Sequence, residues 1–302
     1  MSEPFDVVVI GGSFAGLSAA MQVARSRRSV LVLDTGKSRN RFVTRAHGLV
    51  GFDGQLPKNI LQQFRDELMA YPSVSLASLE IKQACKKRSG FELLAETGEA
   101  FLTKRVILSF GIVDRLPDVP GLPELWGKQV FHCPYCNGYE ARDQRLGVLA
   151  TQPSSLEQAT MLLEWSSKVN LFTNEILPLD GSERQQVLDQ GIVINDTKVA
   201  SLETAGDHLT AVSLTDGSSV QTDTLFTLTN TTLSNNLAEQ LGCDIEEGPF
   251  GPFISVDPYN QETSISGVYA AGDITRSFHK LSFAIADGNL AGVSAHKSLV
   301  MG

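Results

Sequence analysis

Apolar residues along this chain alternate between short β-branched runs and stretches in which they recur at helical spacing. The run Asp6-Val7-Val8-Val9-Ile10 reads as a strand buried on both faces, and Ala15 to Arg25 carries Ala and Leu at the period of a helix. Ser29-Val30-Leu31-Val32-Leu33 is a second buried strand ending at Asp34, completing a strand–helix–strand unit of about 30 residues. A loop rich in Arg, Asn and Gly follows over 36–54, then a predicted helix over 57–71. From 74 to 108 the pattern changes to short strands broken at Ser89-Gly90 and Thr97-Gly98, which reads as a β-meander packed on the first unit.

Pro117, Pro120 and Pro123 then punctuate the chain and mark a domain boundary. Beyond them the theme recurs: a strand over 146–150, a helix over 155–166, a strand over 168–172, and a meander with turns at Gly206-Asp207 and Asp216-Gly217. After Gly248-Pro249 the chain returns through strands at 253–256 and 267–270, a Gly272-Asp273 turn, and a helix over 283–299. The expected fold class is α/β, with two nucleotide-binding-type three-layer ββα domains. The first is discontinuous (1–116 and 247–302) and encloses the second (117–246).

A chain of 302 residues exceeds what one hydrophobic core usually serves, in keeping with two domains. Its 42% hydrophobic and 20% charged residues are those of an ordinary globular protein. A formal charge of −9 argues against a nucleic-acid partner. No apolar run approaches the roughly 18 residues of a membrane span, and the start lacks the basic segment of a signal peptide. Four cysteines, Cys85, Cys133, Cys136 and Cys243, are too few for a secreted disulfide scaffold; a cytoplasmic protein is expected, in which a CxxC is catalytic or metal-bound.

Three constellations carry chemistry. In Gly11-Gly12-Ser13-Phe14-Ala15-Gly16, Gly11 suits a tight strand-to-helix turn and Gly16 close packing of helix on strand; Ser13 replaces the middle glycine of the usual dinucleotide pattern. A pyrophosphate would lie on the helix N-terminus, and Asp34 would accept from ribose hydroxyls. A plain glycine-rich turn is the alternative. The second constellation, Gly267 to Asp273, ends an apolar strand in Gly272-Asp273, which serves either a cofactor or a helix cap. The third is Cys133-Pro134-Tyr135-Cys136, a spacing that closes a disulfide with little backbone movement. Pro134 favours a helix start, and that position together with His132 would raise the thiolate fraction. Zinc would want four ligands, and neither Cys85 nor Cys243 offers a second pair; both read as small buried hydrophobes. No metal site is expected.

The order of these motifs resembles the low-molecular-weight thioredoxin reductases of the pyridine nucleotide-disulfide oxidoreductase superfamily over essentially the whole chain. The resemblance implies one FAD per chain, held by Gly11, Ser13, Gly16, Asp34 and Asp273, with Gly12, Phe14, Ala15, Gly111 and Gly272 beside them. Arg39-Asn40-Arg41 and His47-Gly48 resemble a flavin-proximal loop of a bacterial and fungal side branch with a CPYC-type pair, so Arg41 and His47 would stand near the flavin. Cys136 takes the flavin-facing role and Cys133 attacks the external substrate. Partners would be a thioredoxin-like protein or a small dithiol or disulfide, and the chain would form a homodimer.

Two departures stand out. The aspartate that usually follows the second cysteine is Asn137, which cannot shuttle a proton; His132, Tyr139 or Glu140 could substitute. Where the family's middle domain carries a glycine turn for NADPH, this chain reads Thr151-Gln152-Pro153-Ser154-Ser155, and Thr173-Asn174-Glu175 stands where basic residues are expected. NADPH binding is expected to be lost. Electrons would then come from a ferredoxin-type protein or from a second flavin in the nicotinamide's place, or flow from dithiols to oxygen. A flavin-bound sensor without turnover is the remaining alternative. The run Lys86-Lys87-Arg88 could meet an acidic donor, although a solvated hairpin turn is the reading favoured for it.

Overall fold

Phe5–Ile10 (β1) consists of residues that suit a strand covered on both faces, and Val7 to Val9 are fully buried. The computed structural model describes residues 3–302 and resolves them into two units, one of residues up to 41 with 58–113 and 231–302, the other of 42–57 and 114–230. In the first unit β1 leads into Phe14–Arg25 (α1), then Val30–Leu33 (β2), Pro57–Met69 (α2), Val74–Ala77 (β3), Ile81–Lys87 (β4), Gly90–Ala95 (β5) and Ala100–Leu108 (β6).

These strands form one sheet in the order β3-β2-β1-β6-β5-β4. β1 pairs in parallel with β2 and β6, so Val8 lies between Leu31 and Val106, and Ile10 between Leu33 and Leu108. The return strand Val268–Ala270 also runs parallel to β6, against its last residues. Even-numbered side chains of β1 share one face. There Val8 and Ile10 pack with Leu31, Leu33, Phe91, Leu93, Leu237 and Ile254. On the other face α1 meets the terminal helix, Leu281–Met301.

That helix contact has no room for side chains. A Cβ on Gly288 would stand 2.0 Å from the Ala15 carbonyl oxygen, and one on Gly292 would stand 2.3 Å from that of Ala19. The terminal helix therefore lies directly on the backbone that forms the glycine turn.

The second unit repeats the plan. Five parallel strands run in the order 193–195, 169–172, 146–149, 224–227, 130–131, and a three-stranded antiparallel meander (199–205, 208–214, 219–221) stands beside them. Its cores are built around Leu149, Phe172, Val212 and Leu225, and around Leu146, Val148, Leu171 and Phe226.

Boundaries differ from expectation in physically legible ways. The chain returns to the first unit at 231 rather than 247, because Leu237, Ala238, Leu241 and Cys243 complete its core. The loop 42–57, expected with the first domain, goes with the second unit, where Phe42 packs on Gly127. The helix expected over 155–166 ends at Leu162, and a turn carries the chain on to Trp165. Cys85 corrects the sequence reading. It is exposed, because in β4 only Ile81 and Ala84 face inward, beside a register shift between Ile81 and Gln83. Cys243 is buried as expected, its Sγ 3.5 Å from Thr263 Oγ1, and burial raises its thiol above the ordinary pKa. Among the described residues no helix is long and apolar enough to cross a membrane.

Gly288→Ala should lower stability by about 1–3 kcal/mol, because the methyl can fit only by separating two backbones. Ala286→Ser, exposed on the same helix, should stay within about 0.5 kcal/mol. Urea-unfolding midpoints measure both, and equal midpoints would contradict the packing described.

Candidate functional site

The glycine turn after β1 is knit from backbone. The Gly11 amide donates to Leu33 O at 2.8 Å, and the Ser109 amide donates to Ile10 O at 2.8 Å. Ser109 Oγ donates to the carbonyls of Ile10 and Gly11, each at 3.0 Å. Gly11 holds φ +111°, and a Cβ there would fall 2.2 Å from Ser109 O. At Gly16 a Cβ would fall 1.8 Å from Gly11 O. Only glycine permits either approach. Gly12 lies against Asp34, whose Cβ would be 2.8 Å from an added methyl. Ser13 stands at the N-cap of α1 without a side-chain cap bond, and Phe14 and Ala15 are buried in its first turn. Gly111 (φ +77°) has open space where a Cβ would stand, and its carbonyl accepts from the Ser234 amide at 3.1 Å.

Both acids that flank this turn are held by arginines. Arg65 Nη2 donates to Asp34 Oδ2 at 3.0 Å and to Gly12 O at 3.2 Å. Arg39 Nη1 donates to Asp273 Oδ2 at 3.3 Å. Beside that second pair, the side-chain Nδ2 and Oδ1 of Asn40 are buried without a partner, as are Nε of Arg276 and Oδ2 of Asp287. Buried polar atoms without partners are uncommon in folded proteins. Arg276 and Asp287 stand at the Gly272-Asp273 turn, where Gly272 has φ +86° with a would-be Cβ 2.9 Å from Ala15, and Asn40 follows the arginine that binds Asp273. Such a cradle of open backbone, two acids and unspent polar groups fits a dinucleotide such as FAD.

The cradle belongs to the first unit and the cysteine pair to the second. Cys133 is the N-cap of a one-turn helix, Pro134–Asn137, with Pro134 in its first turn as the sequence predicts. Both cysteines are half-buried, and the Cys136 amide donates to Cys133 O at 3.1 Å. A helix this short offers little macrodipole, so most of the expected help to a thiolate must come from elsewhere. Behind the turn, Trp165 meets Tyr135 edge-on at 5.9 Å. An added Cβ on Gly138 would stand 2.8 Å from the Trp165 ring and 2.6 Å from Pro134 O. The ring of His132 lies 6.2 Å from that of Trp126, and the His132 carbonyl accepts from Gln158 Nε2 at 2.8 Å. Asn137 is half-buried, and its carbonyl accepts from the Ala141 amide at 3.1 Å.

His47 and Arg41 do not share one role. Arg41 Nη1 donates to Ser38 O at 2.8 Å and Lys37 O at 3.3 Å. His47 stands in the second unit, its Nδ1 3.4 Å from Glu140 Oε1 and 3.6 Å from Asp53 Oδ1. Glu140, one of the candidates for the missing acid, thus has a histidine partner. Tyr139, another candidate, is exposed under the Arg142 guanidinium at 4.4 Å. Arg65 and the Arg276–Asp287 pair were not singled out in the sequence, whereas Asn40 falls in the loop that resembles the flavin-proximal one. The spacing of Gly288 and Gly292 was a readable sign of close helix packing, whereas nothing local marked Arg65 as the partner of Asp34. Among the described residues no group of three or more His, Cys, Asp or Glu is placed to hold a metal ion.

A nucleotide cradle and a vicinal thiol couple, carried on two units of the same plan, define a dithiol/disulfide oxidoreductase. The family model described as pyridine nucleotide-disulphide oxidoreductase matches residues 5–288. A thioredoxin reductase of Claviceps purpurea is 32% identical, the match covering 99% of this chain and 95% of that protein. An oxidoreductase from Agrobacterium tumefaciens has the same fold at a TM-score of 0.94 and 36% identity, with 99% of each chain covered. A thioredoxin reductase, TrxB, from Bacillus anthracis superposes at 0.91 with 28% identity and 98% of each chain covered. The chain therefore belongs to the pyridine nucleotide-disulfide oxidoreductases and is thioredoxin reductase-like, in the class of disulfide oxidoreductases that work with FAD.

Gly138→Val should displace Trp165 or the Cys133–Cys136 turn and slow dithiol/disulfide turnover by about ten-fold or more. Cofactor content should be unchanged, because the cradle is built from other residues. Turnover at the wild-type rate would show that the turn tolerates the bulk.

Proposed function

We propose that this chain is an FAD-dependent thiol–disulfide oxidoreductase that works without NADPH and exchanges electrons with a thioredoxin-like protein or a small dithiol or disulfide. The observation that carries the NADPH-independent reading is the turn Thr151–Ser155, which spends the amides of Thr151 and Ser155 on itself. The Thr151 amide donates to Ser155 Oγ at 3.2 Å, the Ser155 amide to Gln152 O at 3.0 Å, and Gln152 Nε2 to Ser154 Oγ at 2.7 Å. Pro153 has no amide to offer. A pyrophosphate settling here would have to break those bonds, whereas a glycine turn presents its amides ready-made. After the next strand, Asn174 and Glu175 hold consecutive left-handed backbones at φ +53° and +58°, and Asn174 Oδ1 accepts from the Val199 amide at 3.0 Å. Arg184, the basic residue beyond them, is paired with Asp196. Nothing there favours a 2′-phosphate, and the exposed Glu175 opposes one.

The chemistry follows from the thiols. In the reductive direction the Cys133 thiolate attacks one sulfur of the partner disulfide and expels the other as a thiolate. Cys136 then attacks the Cys133 sulfur, closes the Cys133–Cys136 disulfide and releases the reduced partner. Bound FAD would supply the electron pair that reopens the disulfide, or accept it when flow is reversed. Asn137 can only orient a thiol, so a proton must pass through a neighbour such as His132 or Glu140.

The same closed turn favours a second reading, oxidation of substrate dithiols with oxygen as the terminal acceptor, because that route needs no nicotinamide and no second electron-transfer protein. In the reductive reading a ferredoxin-type protein or a second flavin takes the donor's place.

Under anaerobic conditions NADPH should leave the flavin band unbleached, while an excess of small dithiol bleaches it. Rapid bleaching by NADPH would overturn the reading of the Thr151–Ser155 turn. Cys136→Ser should lower turnover by at least about a hundred-fold. Peroxide formed in air with a dithiol would favour the oxidase, and rapid reduction of thioredoxin-like disulfides the reductase.

A further inference from the structure

The terminal helix carries an acid that none of the motifs accounts for. Asp287 is 6% exposed, next to the Gly288 that lies on the Ala15 carbonyl. Its Oδ1 is bonded by Arg276 Nη2, and the Gly272 amide lies close enough to stabilise its charge. Its Oδ2 is buried without a partner, as is Nε of Arg276. The Arg276 guanidinium lies 5.0 Å from the ring centre of Phe283, and its carbonyl is bonded by His279 Nε2 at 2.9 Å. From this one position, then, the terminal helix grips the Gly272-Asp273 turn at the turn's own amide and at the arginine just beyond it.

A buried carboxylate is an expensive way to hold a fold. Burial raises the pKa of Asp287; Asp273 adds to the rise, and Arg276 opposes it. An ionised carboxylate here costs folding free energy that an amide of the same shape would spare. An acid retained at such a cost calls for a role beyond packing.

We infer that Asp287 is a positioning residue for the cofactor: its carboxylate fixes the Gly272-Asp273 turn through the Gly272 amide and Arg276, in the form that receives FAD. The inference rests on the proposed FAD reading. Two ion pairs, Arg39 with Asp273 and Arg276 with Asp287, meet at the turn with their carboxylates facing each other. Among the described residues Asp273 and Arg276 act on Asp287 directly; Arg39 stands behind Asp273, and His279 is bonded to the Arg276 carbonyl. The α1 face against which Gly288 packs is Ala15 and contributes none. Removing the Asp287 charge frees Arg276, which is one-third exposed and can turn to water, and loosens the turn without opening a cavity.

The sign of the pH dependence follows. Because the folded-state pKa is raised, the neutral acid stabilises the apoprotein, and that contribution is lost as pH rises through the raised pKa. The ionised form is the one that grips the turn. FAD affinity should therefore fall as pH drops through that same pKa, while the stability of the apoprotein does not fall with it on this group's account.

The test compares apoprotein of the wild type with Asp287→Asn and Asp287→Glu, titrating FAD by its fluorescence and following apoprotein melting. Asp287→Asn should weaken FAD binding by about ten-fold or more, the scale of a lost charge-assisted hydrogen bond. It should keep or raise the apoprotein melting temperature and abolish the acid limb of the affinity profile. Asp287→Glu should restore part of the affinity. Equal FAD affinity and an unchanged acid limb in Asp287→Asn would overturn the inference while leaving the FAD reading intact. A large fall in melting temperature would also overturn it, by showing that the pair serves the fold. Wild-type apoprotein that fails to take up FAD at all would instead overturn the cofactor reading on which the inference stands.

Discussion

Backbone meets backbone at the end of β1, and no side chain can be admitted there. Gly16 lies against the Gly11 carbonyl, Gly11 against that of Ser109, and Gly288 against that of Ala15. Three strands, α1 and the terminal helix thus converge on one turn through glycines. Dispersion between such close surfaces and the amide hydrogen bonds that tie β1, β2 and β6 together hold the turn in place. Once it is held, the N-terminus of α1 and the Gly272-Asp273 turn become neighbours by construction. The charges around them then do the chemical work of selecting a ligand.

The second unit reproduces the plan but not the turn. Where the first has glycines and open amides, the second has a hydroxyl-rich stretch with a proline that folds onto itself. Shared architecture does not carry shared binding; the donors do. The unit's distinctive contribution is the cysteine turn, backed by Trp165 and by the buried Gln158.

Much of this was legible in residue order. β-branched runs gave the parallel strands, glycine spacing gave the turn, and Pro134 gave the helix start at Cys133, because each depends on neighbours in sequence. What depends on distant partners was not legible. Arg65 reaches Asp34 from a helix 31 residues away, and nothing local marks the pair. The loop carrying His47 reads as part of the first domain until Phe42 and Glu140 claim it for the second. Cys85 was expected as a small buried residue of a predicted strand, but in β4 only Ile81 and Ala84 face inward and Cys85 is exposed. The return to the first unit came early because Leu237 and Leu241 were needed in its core, a demand invisible without the sheet.

The central claim is that flavin and the Cys133–Cys136 couple share electrons within one chain. Anaerobic photoreduction, counting electrons taken up per chain against the flavin spectrum, tests it most directly. The account predicts that the wild type consumes twice the electrons that Cys136→Ser does before its flavin is fully reduced. Equal uptake by the two proteins would show that the couple and the cofactor do not communicate, and would contradict the account.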